Sequence, residues 1–357
     1  MIEKTLPLLV AILAAGVANA QSSVTAFGVL DMAGTYETAS GGGHRTGLSS
    51  GGTGGSRLGF RGTEDLGGGL SAGFWLEGQL QPDIGTGASG GGLNFARRST
   101  VSLSSNTWGE LRLGRDFVPT WWNLALFDPF QARGGGTAHA FNSFGFNEVY
   151  NSNTVGYILP QNLGGLFGQF QYAFGEKSST ATNDKQGNAS SGRLGYQNGP
   201  LTVAAAYTVF KQVIGASDVA PIAIGRDLKV GNIVATWDFG VIKPVVFYGQ
   251  EKIQGGPSGN NRLDSFLVGA TAPVGAGEIR FAASRYDVRN SPNDFTKISL
   301  GYGYYLSKRT QVYTAVGRLN NKGNGTRSIA VESLATVVPT IAGGSSTVFD
   351  IGIRHNF

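Results

Sequence analysis

Cysteine is absent from this chain, and with it go disulfide frameworks and thiolate metal sites. Histidine is scarce, with only His44, His139 and His355. Neither an H-x-x-x-H nor an EF-hand spacing appears, so no metal site is expected. Catalysis is equally unsupported. His44 stands in a glycine-rich stretch without a neighbouring acid, and the one Ser-His-Asp set that can be drawn, Ser143 with His139 and Asp128, lacks a G-x-S-x-G elbow around the serine. Gly51-Gly-Thr-Gly-Gly-Ser56 imitates a phosphate loop but has neither the Walker lysine nor a helix after it, so it reads as a loop and no cofactor is expected. After Val17 no apolar run reaches the ~18 residues a membrane helix needs. Insertion into a bilayer then requires a closed sheet.

What is abundant is glycine, 57 of 357 residues, without the strict triplet of collagen. Hydrophobic residues at 41% and aromatics at 11% argue against disorder. Met1 to Ala20 carries Lys4 near its start, an apolar run from Leu6 to Val17, and Ala18-Asn19-Ala20 as a peptidase site. Residues 1–20 are therefore expected to be a cleaved signal peptide, leaving residues 21–357 as one exported domain. The formal charge is +5, which suits anionic lipid, anionic solutes or polyanions alike.

The rest of the chain alternates. In Thr347 to Phe357, Phe349, Ile351, Ile353 and Phe357 share one parity, while Asp350, Gly352, Arg354 and Asn356 share the other. Ile298, Leu300, Tyr302, Tyr304 and Leu306 oppose Lys297, Ser299, Gly301 and Gly303, and Leu201, Val203, Ala205, Tyr207 and Val209 repeat the pattern. A strand with one apolar and one polar face suits a wall between lipid and water. Sixteen such segments are read near 23–38, 54–64, 69–81, 94–104, 108–116, 151–159, 165–177, 189–197, 200–212, 227–237, 241–253, 262–272, 277–287, 294–304, 309–320 and 346–357. Short connectors such as Ser105-Asn-Thr107 alternate with long polar ones such as Ser40 to Thr53 and Ser178 to Asn188. A soluble β-sandwich uses the same alternation, but sixteen repeats with small and charged residues on the second face favour an all-β, 16-stranded antiparallel transmembrane barrel.

Several stretches carry a family resemblance. They are Ser23-Val-Thr-Ala-Phe-Gly-Val-Leu-Asp31, Ser56-Arg-Leu-Gly-Phe-Arg-Gly-Thr-Glu-Asp-Leu-Gly-Gly-Gly-Leu70, Leu111-Arg-Leu-Gly-Arg115, Asn151-Ser-Asn-Thr-Val-Gly-Tyr157 and Gly352-Ile-Arg-His-Asn-Phe357. In their order and spacing the chain resembles the general porins of Gram-negative bacteria, and among them the trimeric porins of beta-proteobacteria. The resemblance implies an outer-membrane homotrimer that passes small hydrophilic solutes and ions by passive diffusion. It also implies a wall set in membrane lipid and lipopolysaccharide, and a last strand ending in Phe357 that the barrel-assembly machinery reads. A solute-specific channel and a barrel enzyme are the rival classes.

One connector, Phe117 to Tyr150, is too long for an ordinary loop. Trp121, Trp122, Phe127, Phe130, Phe141, Phe144 and Phe146 make it apolar enough to be buried, Pro119 precedes a helix-like Thr120 to Leu126, and Gly134-Gly-Gly136 offers a bend. The resemblance implies that this third loop folds into the barrel and narrows it, facing basic residues on the wall. By motif those are Arg57 and Arg115; parity adds Arg61, Arg98 and Arg112. Arg115 has the apolar parity of Leu111 and Leu113, and its place at a strand end, where alternation breaks, is taken to turn it inward. Tyr150 stands where the family often carries a further arginine. The loop offers only Asp128 and Glu148 as opposing carboxylates, with Asp116 at its edge, and carries Arg133. The expected opening is therefore basic and weakly anion-selective.

Overall fold

The computed structural model describes residues 23–87, 91–138, 142–215, 223–256 and 259–357. The expected signal peptide, His139 and Phe141 lie outside them. The first half of the chain gives β1 (Ser23–Ala39), β2 (Gly43–Ser50), β3 (Arg57–Gly67), β4 (Leu70–Gln81), β5 (Thr86–Gly87), β6 (Arg98–Ser105), β7 (Gly109–Phe117), helix α1 (Pro119–Phe127), β8 (Tyr150–Ile158) and β9 (Leu166–Ala173). The second half is an uninterrupted meander. It comprises β10 (Ala189–Asn198), β11 (Leu201–Gly215), β12 (Ala223–Trp237), β13 (Lys243–Gly256), β14 (Gly259–Val274), β15 (Gly277–Val288), β16 (Phe295–Tyr305), β17 (Thr310–Asn321) and β18 (Ser345–Asn356).

Every neighbouring pair is antiparallel, and β18 returns to β1 in the register Val29↔Asn356 to Ala39↔Ser346, which closes the sheet. Two of the labelled strands are not separate staves. β2 pairs with the upper half of β1 (Met32↔Ser50 to Ala39↔Gly43) and β3 with its lower half (Ser23↔Thr63 to Val29↔Arg57). They are one wall strand interrupted at residues 51–56, and β5 is a two-residue pairing above β4. The wall thus has sixteen staves.

This corrects one reading of the sequence. Ser40 to Thr53 is not a long polar loop but a tight turn, a strand and the start of an inward ledge. Its outward positions His44 and Thr46 are polar and exposed, which hid the strand, and its inner side is partly covered by the 322–344 loop: a Cβ on Gly47, which opposes the buried Thr35, would meet Leu334 at 3.0 Å, and Ser50 donates its backbone N–H to Ser333 Oγ at 3.0 Å.

The alternation maps onto the wall as a period of two requires. Ile298, Leu300 and Ile351 are each more than half exposed on the outside, whereas Lys297, Ser299, Gln311 and Asp350 are buried on the inside. Backbone bonds tie Phe357 to Gly28 in both directions at 3.0 and 3.1 Å across the closing seam. The Phe357 ring lies over Gly28, where an added Cβ would stand 2.3 Å from the ring.

Candidate functional site

Residues 51–56 are fully buried and project into the barrel. Their shape follows from one carboxylate. Asp31 accepts from the backbone N–H groups of Gly52 (3.2 Å), Thr53 (2.9 Å) and Gly54 (2.7 Å) and from the Thr53 hydroxyl, while Ser56 Oγ bridges the backbone of Asp31. The stretch that imitated a phosphate loop has its donors occupied by a residue of its own chain. The ledge carries Arg57 forward, and Arg57 Nη1 donates to Gly55 O at 2.9 Å.

From Arg57 a row of charges runs down the inward parity of β3, β4, β6 and β7. Glu77 lies 3.7 Å from Arg57 Nε and 2.5 Å from Arg97 Nε; Asp116 lies 3.5 Å from Arg98 and 2.7 Å from Arg112, which also holds Glu110 at 2.8 Å. Arg98 stacks on Trp75 at 4.6 Å, and Arg61 lies over both Phe27 and Trp75 nearer the short-turn end. Each of Glu77 and Asp116 is shared by two guanidinium groups. The row therefore keeps positive charge in excess.

The third loop runs inside the barrel opposite this row. Pro119 starts α1 at its first turn, as the fixed φ of proline favours. The helix packs on the inner side of β9 to β12, where Thr120 Oγ1 meets Thr208 Oγ1 at 3.0 Å, Asn123 Nδ2 donates to Asn232 Oδ1 at 3.1 Å, and Arg193 donates to Asn123 Oδ1. Its polar anchors suit a helix that must bind a wall of threonine and asparagine. Beyond it the chain bends through Gln131 and Ala132, both at positive φ, to Gly134-Gly-Gly136.

Those three glycines do more than bend. A Cβ on Gly134 would stand 2.1 Å from Gly52 O, one on Gly135 2.5 Å from Val348 Cγ1, and one on Gly317 of β17 2.1 Å from Gly135 O. The loop tip presses its backbone against the ledge and the β17–β18 wall, and Gly135 donates to Asp350 Oδ2 at 2.8 Å. The return limb is pinned by Ser284 Oγ donating to Ala138 O at 2.6 Å and by Ser143 donating to Glu251 through its N–H (3.0 Å) and hydroxyl (2.8 Å). Trp121, Phe130 and Phe144 are buried, as their apolar character requires.

Between row and loop lies a cavity of about 640 Å³. Arg57, Arg97 and Arg354 line it from the wall and the edge of Trp122, Ala125, Leu126 and Gln131 from the loop, with Arg133 at the loop's end. Among the described residues no carboxylate lies on that edge of the loop. Asp128 is turned inward: its oxygens accept from the backbone N–H groups of Phe130 (2.8 Å) and Ala138 (3.0 Å), which stops the helix and shapes the bend. Glu148 is buried beside Glu251, and burial first, the second carboxylate next, holds its carboxyl well above the usual range. The sequence reading of these two as carboxylates opposing the wall is corrected accordingly.

Arg115 is a further correction. It stands opposite Ser99 in the ladder and is skipped in the β7–β8 register, where Asn153 takes φ 56°. Its guanidinium donates to Ala96 O and to Ser152 Oγ and lies 5.2 Å over the Tyr150 ring. It makes no contact with the Arg57–Arg112 row. Tyr150 packs on Phe117 at 4.8 Å and lies within electrostatic reach of Arg57 and Arg97. Arg133 does reach the cavity, paired at 3.0 Å with Glu332, a residue of the 322–344 loop that also folds inward.

Arg97, Glu77, Arg354 and Glu332 belong to this constellation and were not picked out from sequence. Parity held a signal for Glu77 and for Arg354, which shares the inward side of Asp350. Arg97 lies just outside a strand, where alternation carries no information. The Nε of Arg354 has no hydrogen-bond acceptor among the described residues.

A closed sheet, apolar outside, charged within and narrowed by an inserted loop, defines a water-filled transmembrane channel. The sequence model of the Gram-negative porin family matches residues 8–324. Outer membrane porin protein 32 of Delftia acidovorans is 39% identical, over 99% of this chain and 100% of that protein, and an outer membrane porin protein of Bordetella pertussis is 30% identical over 96% of each. The anion-selective porin from Comamonas acidovorans has a solved structure that superposes with a TM-score of 0.85, at 38% identity over 94% of this chain and 100% of that one. The chain belongs to the Gram-negative porin family. It is an outer-membrane porin for passive diffusion and not an enzyme.

Proposed function

We propose that this porin prefers anions. The observation that carries the reading is the row of Arg57, Arg97, Arg98 and Arg112, joined by Arg354 and facing a loop edge without a carboxylate. Guanidinium groups stay protonated at any working pH, so the positive field is permanent. Water fills the opening and salt screens over ~10 Å at 0.1 M, which keeps the preference weak. The likeness to a porin described as anion-selective supports the same sign. In a planar bilayer under a potassium chloride gradient, single channels should give a reversal potential of the sign for chloride. A potassium preference sinks the proposal.

The same reading extends to processing and assembly. Residues 1–20 serve as a cleaved signal, the mature chain begins at Gln21, and three copies form a homotrimer set in lipid and lipopolysaccharide after the barrel-assembly machinery reads the strand ending in Phe357. Its support is the family resemblance and the exposed apolar belt of Ile298, Leu300, Phe349 and Ile351. Unheated protein in mild detergent should migrate as a trimer, and a stable monomer counts against it.

A further inference from the structure

The outer wall of β12 to β15 carries charge where a lipid-facing surface has no use for it. On these strands Ile233, Val246, Phe266 and Val268 point outward and are exposed, so Lys229, Lys252 and Arg262, which share their parities, point outward too. The register sets these three side by side: Lys229 opposes Lys252, and Lys252 opposes Arg262. Like charges directly across a ladder repel, at Cβ separations of about 5 Å. A fold places three cations abreast at some cost unless an anion joins them.

The surroundings sharpen the point. Asp264 is buried and holds both Arg262 (2.8 Å) and Arg289 (3.1 Å), with Tyr248 and Gln250 donating to it as well. Arg285 pairs with Asp287 and Lys211 with Asp227, each at 2.7 Å. Among the described residues no carboxylate pairs with Lys229 or Lys252. Directly beneath the two lysines the wall has an outward groove of about 500 Å³, lined by Tyr207, Gly231, Ile233, Tyr248 and Gln250. The three cations lie toward the loop end of the barrel, the end away from Phe357, and the groove runs from them to mid-wall at Tyr207 and Ile233. Below them the outside turns apolar. Cations above an aromatic-walled groove above an apolar belt form a three-tier surface that matches phosphate, sugar and acyl chain in that order.

We propose that this patch binds the phosphorylated headgroup of a glycolipid in the outer leaflet. Lys229, Lys252 and Arg262 meet its phosphate, Gln250 and Tyr248 its sugar, and the groove between Tyr207 and Ile233 the start of an acyl chain. The proposal rests on the outer-membrane placement of the barrel and is independent of its ion selectivity.

The test uses the full-length protein in mild detergent, with native mass spectrometry counting retained lipid after addition of bis-phosphorylated lipopolysaccharide, of the same lipid with its phosphates removed, or of phosphatidylglycerol. The wild-type protein should retain the first far better than the other two. Lys229→Gln with Lys252→Gln should weaken that retention about thirty-fold, Lys229→Arg with Lys252→Arg should keep it, and Lys308→Gln at the opposite rim should leave it unchanged. Single-channel conductance of all variants should match the wild type, because neither lysine faces the lumen. Equal retention by the glutamine variant, equal retention of the dephosphorylated lipid or of phosphatidylglycerol, or loss of the oligomer in the variant overturns the proposal. The last outcome makes the patch a subunit interface.

Discussion

Arg57→Gln probes the opening most cleanly, because it strands no buried carboxylate. Glu77 keeps Arg97 at 2.5 Å, whereas Arg57 stands 3.7 Å away with 29% of its side chain exposed. Losing one unit charge near the path of an ion changes that ion's energy by about 1 kcal/mol at 4 Å in a water-like dielectric, or roughly five-fold in its permeation. Chloride loses that factor and potassium gains it, so the chloride-to-potassium permeability ratio should fall by about five- to twenty-five-fold at 0.01 M salt, where screening reaches ~30 Å. At 1 M, with screening over ~3 Å, the difference should nearly vanish. The assay is the reversal potential of single channels across a fixed potassium chloride ratio, repeated at both absolute concentrations. Thermal stability should change little, since Arg57 is partly exposed and its long contact leaves Glu77 with the shorter pair to Arg97. An unchanged ratio at low salt refutes the placement of Arg57 at the opening. A change that persists at 1 M refutes the electrostatic argument and points to altered pore shape.

Three further outcomes are expected. Gly317→Ala places a Cβ against Gly135 O, so the loop tip should leave the wall and single-channel current should become noisier or larger, with the trimer retained. Glu148→Gln tests the buried carboxyl: a folded-state pKa raised by burial means the loop seat is firmest below the ordinary value of 4.5 and loosens as pH rises through the raised one. Hydrogen exchange of residues 142–149 should therefore slow from pH 8 to pH 5, after correction for intrinsic exchange, in the wild type but not in the variant. Deleting Phe357 removes the ring over Gly28 and two seam hydrogen bonds. Export to the periplasm should persist while outer-membrane insertion falls sharply, and normal insertion would reduce the residue to an ordinary wall position.

The wall was legible in the sequence because its signal is local. Lipid outside and water inside impose a period of two on every strand, so Ile298 to Leu306 and Phe349 to Ile353 announce their sides without knowledge of their neighbours. The length and aromatic content of residues 117–150 likewise marked the inserted loop, and Pro119 its helix. Tertiary structure alone decided whatever depends on partners far along the chain. Alternation did not reveal that residues 43–50 form a strand, since its outward His44 and Thr46 are polar and the last loop covers part of its inner side, nor that Asp31 builds the ledge beneath Arg57. The fate of charges was the least readable: Asp128 closes the loop on itself, Glu148 is buried, Arg115 falls in a bulge, and Arg97 and Arg354 enter the opening. Whether a charge faces water, a partner or a backbone N–H is settled by pairs such as Arg133 with Glu332, separated by 199 residues. A period of two says which side a residue faces but carries no information about what waits there.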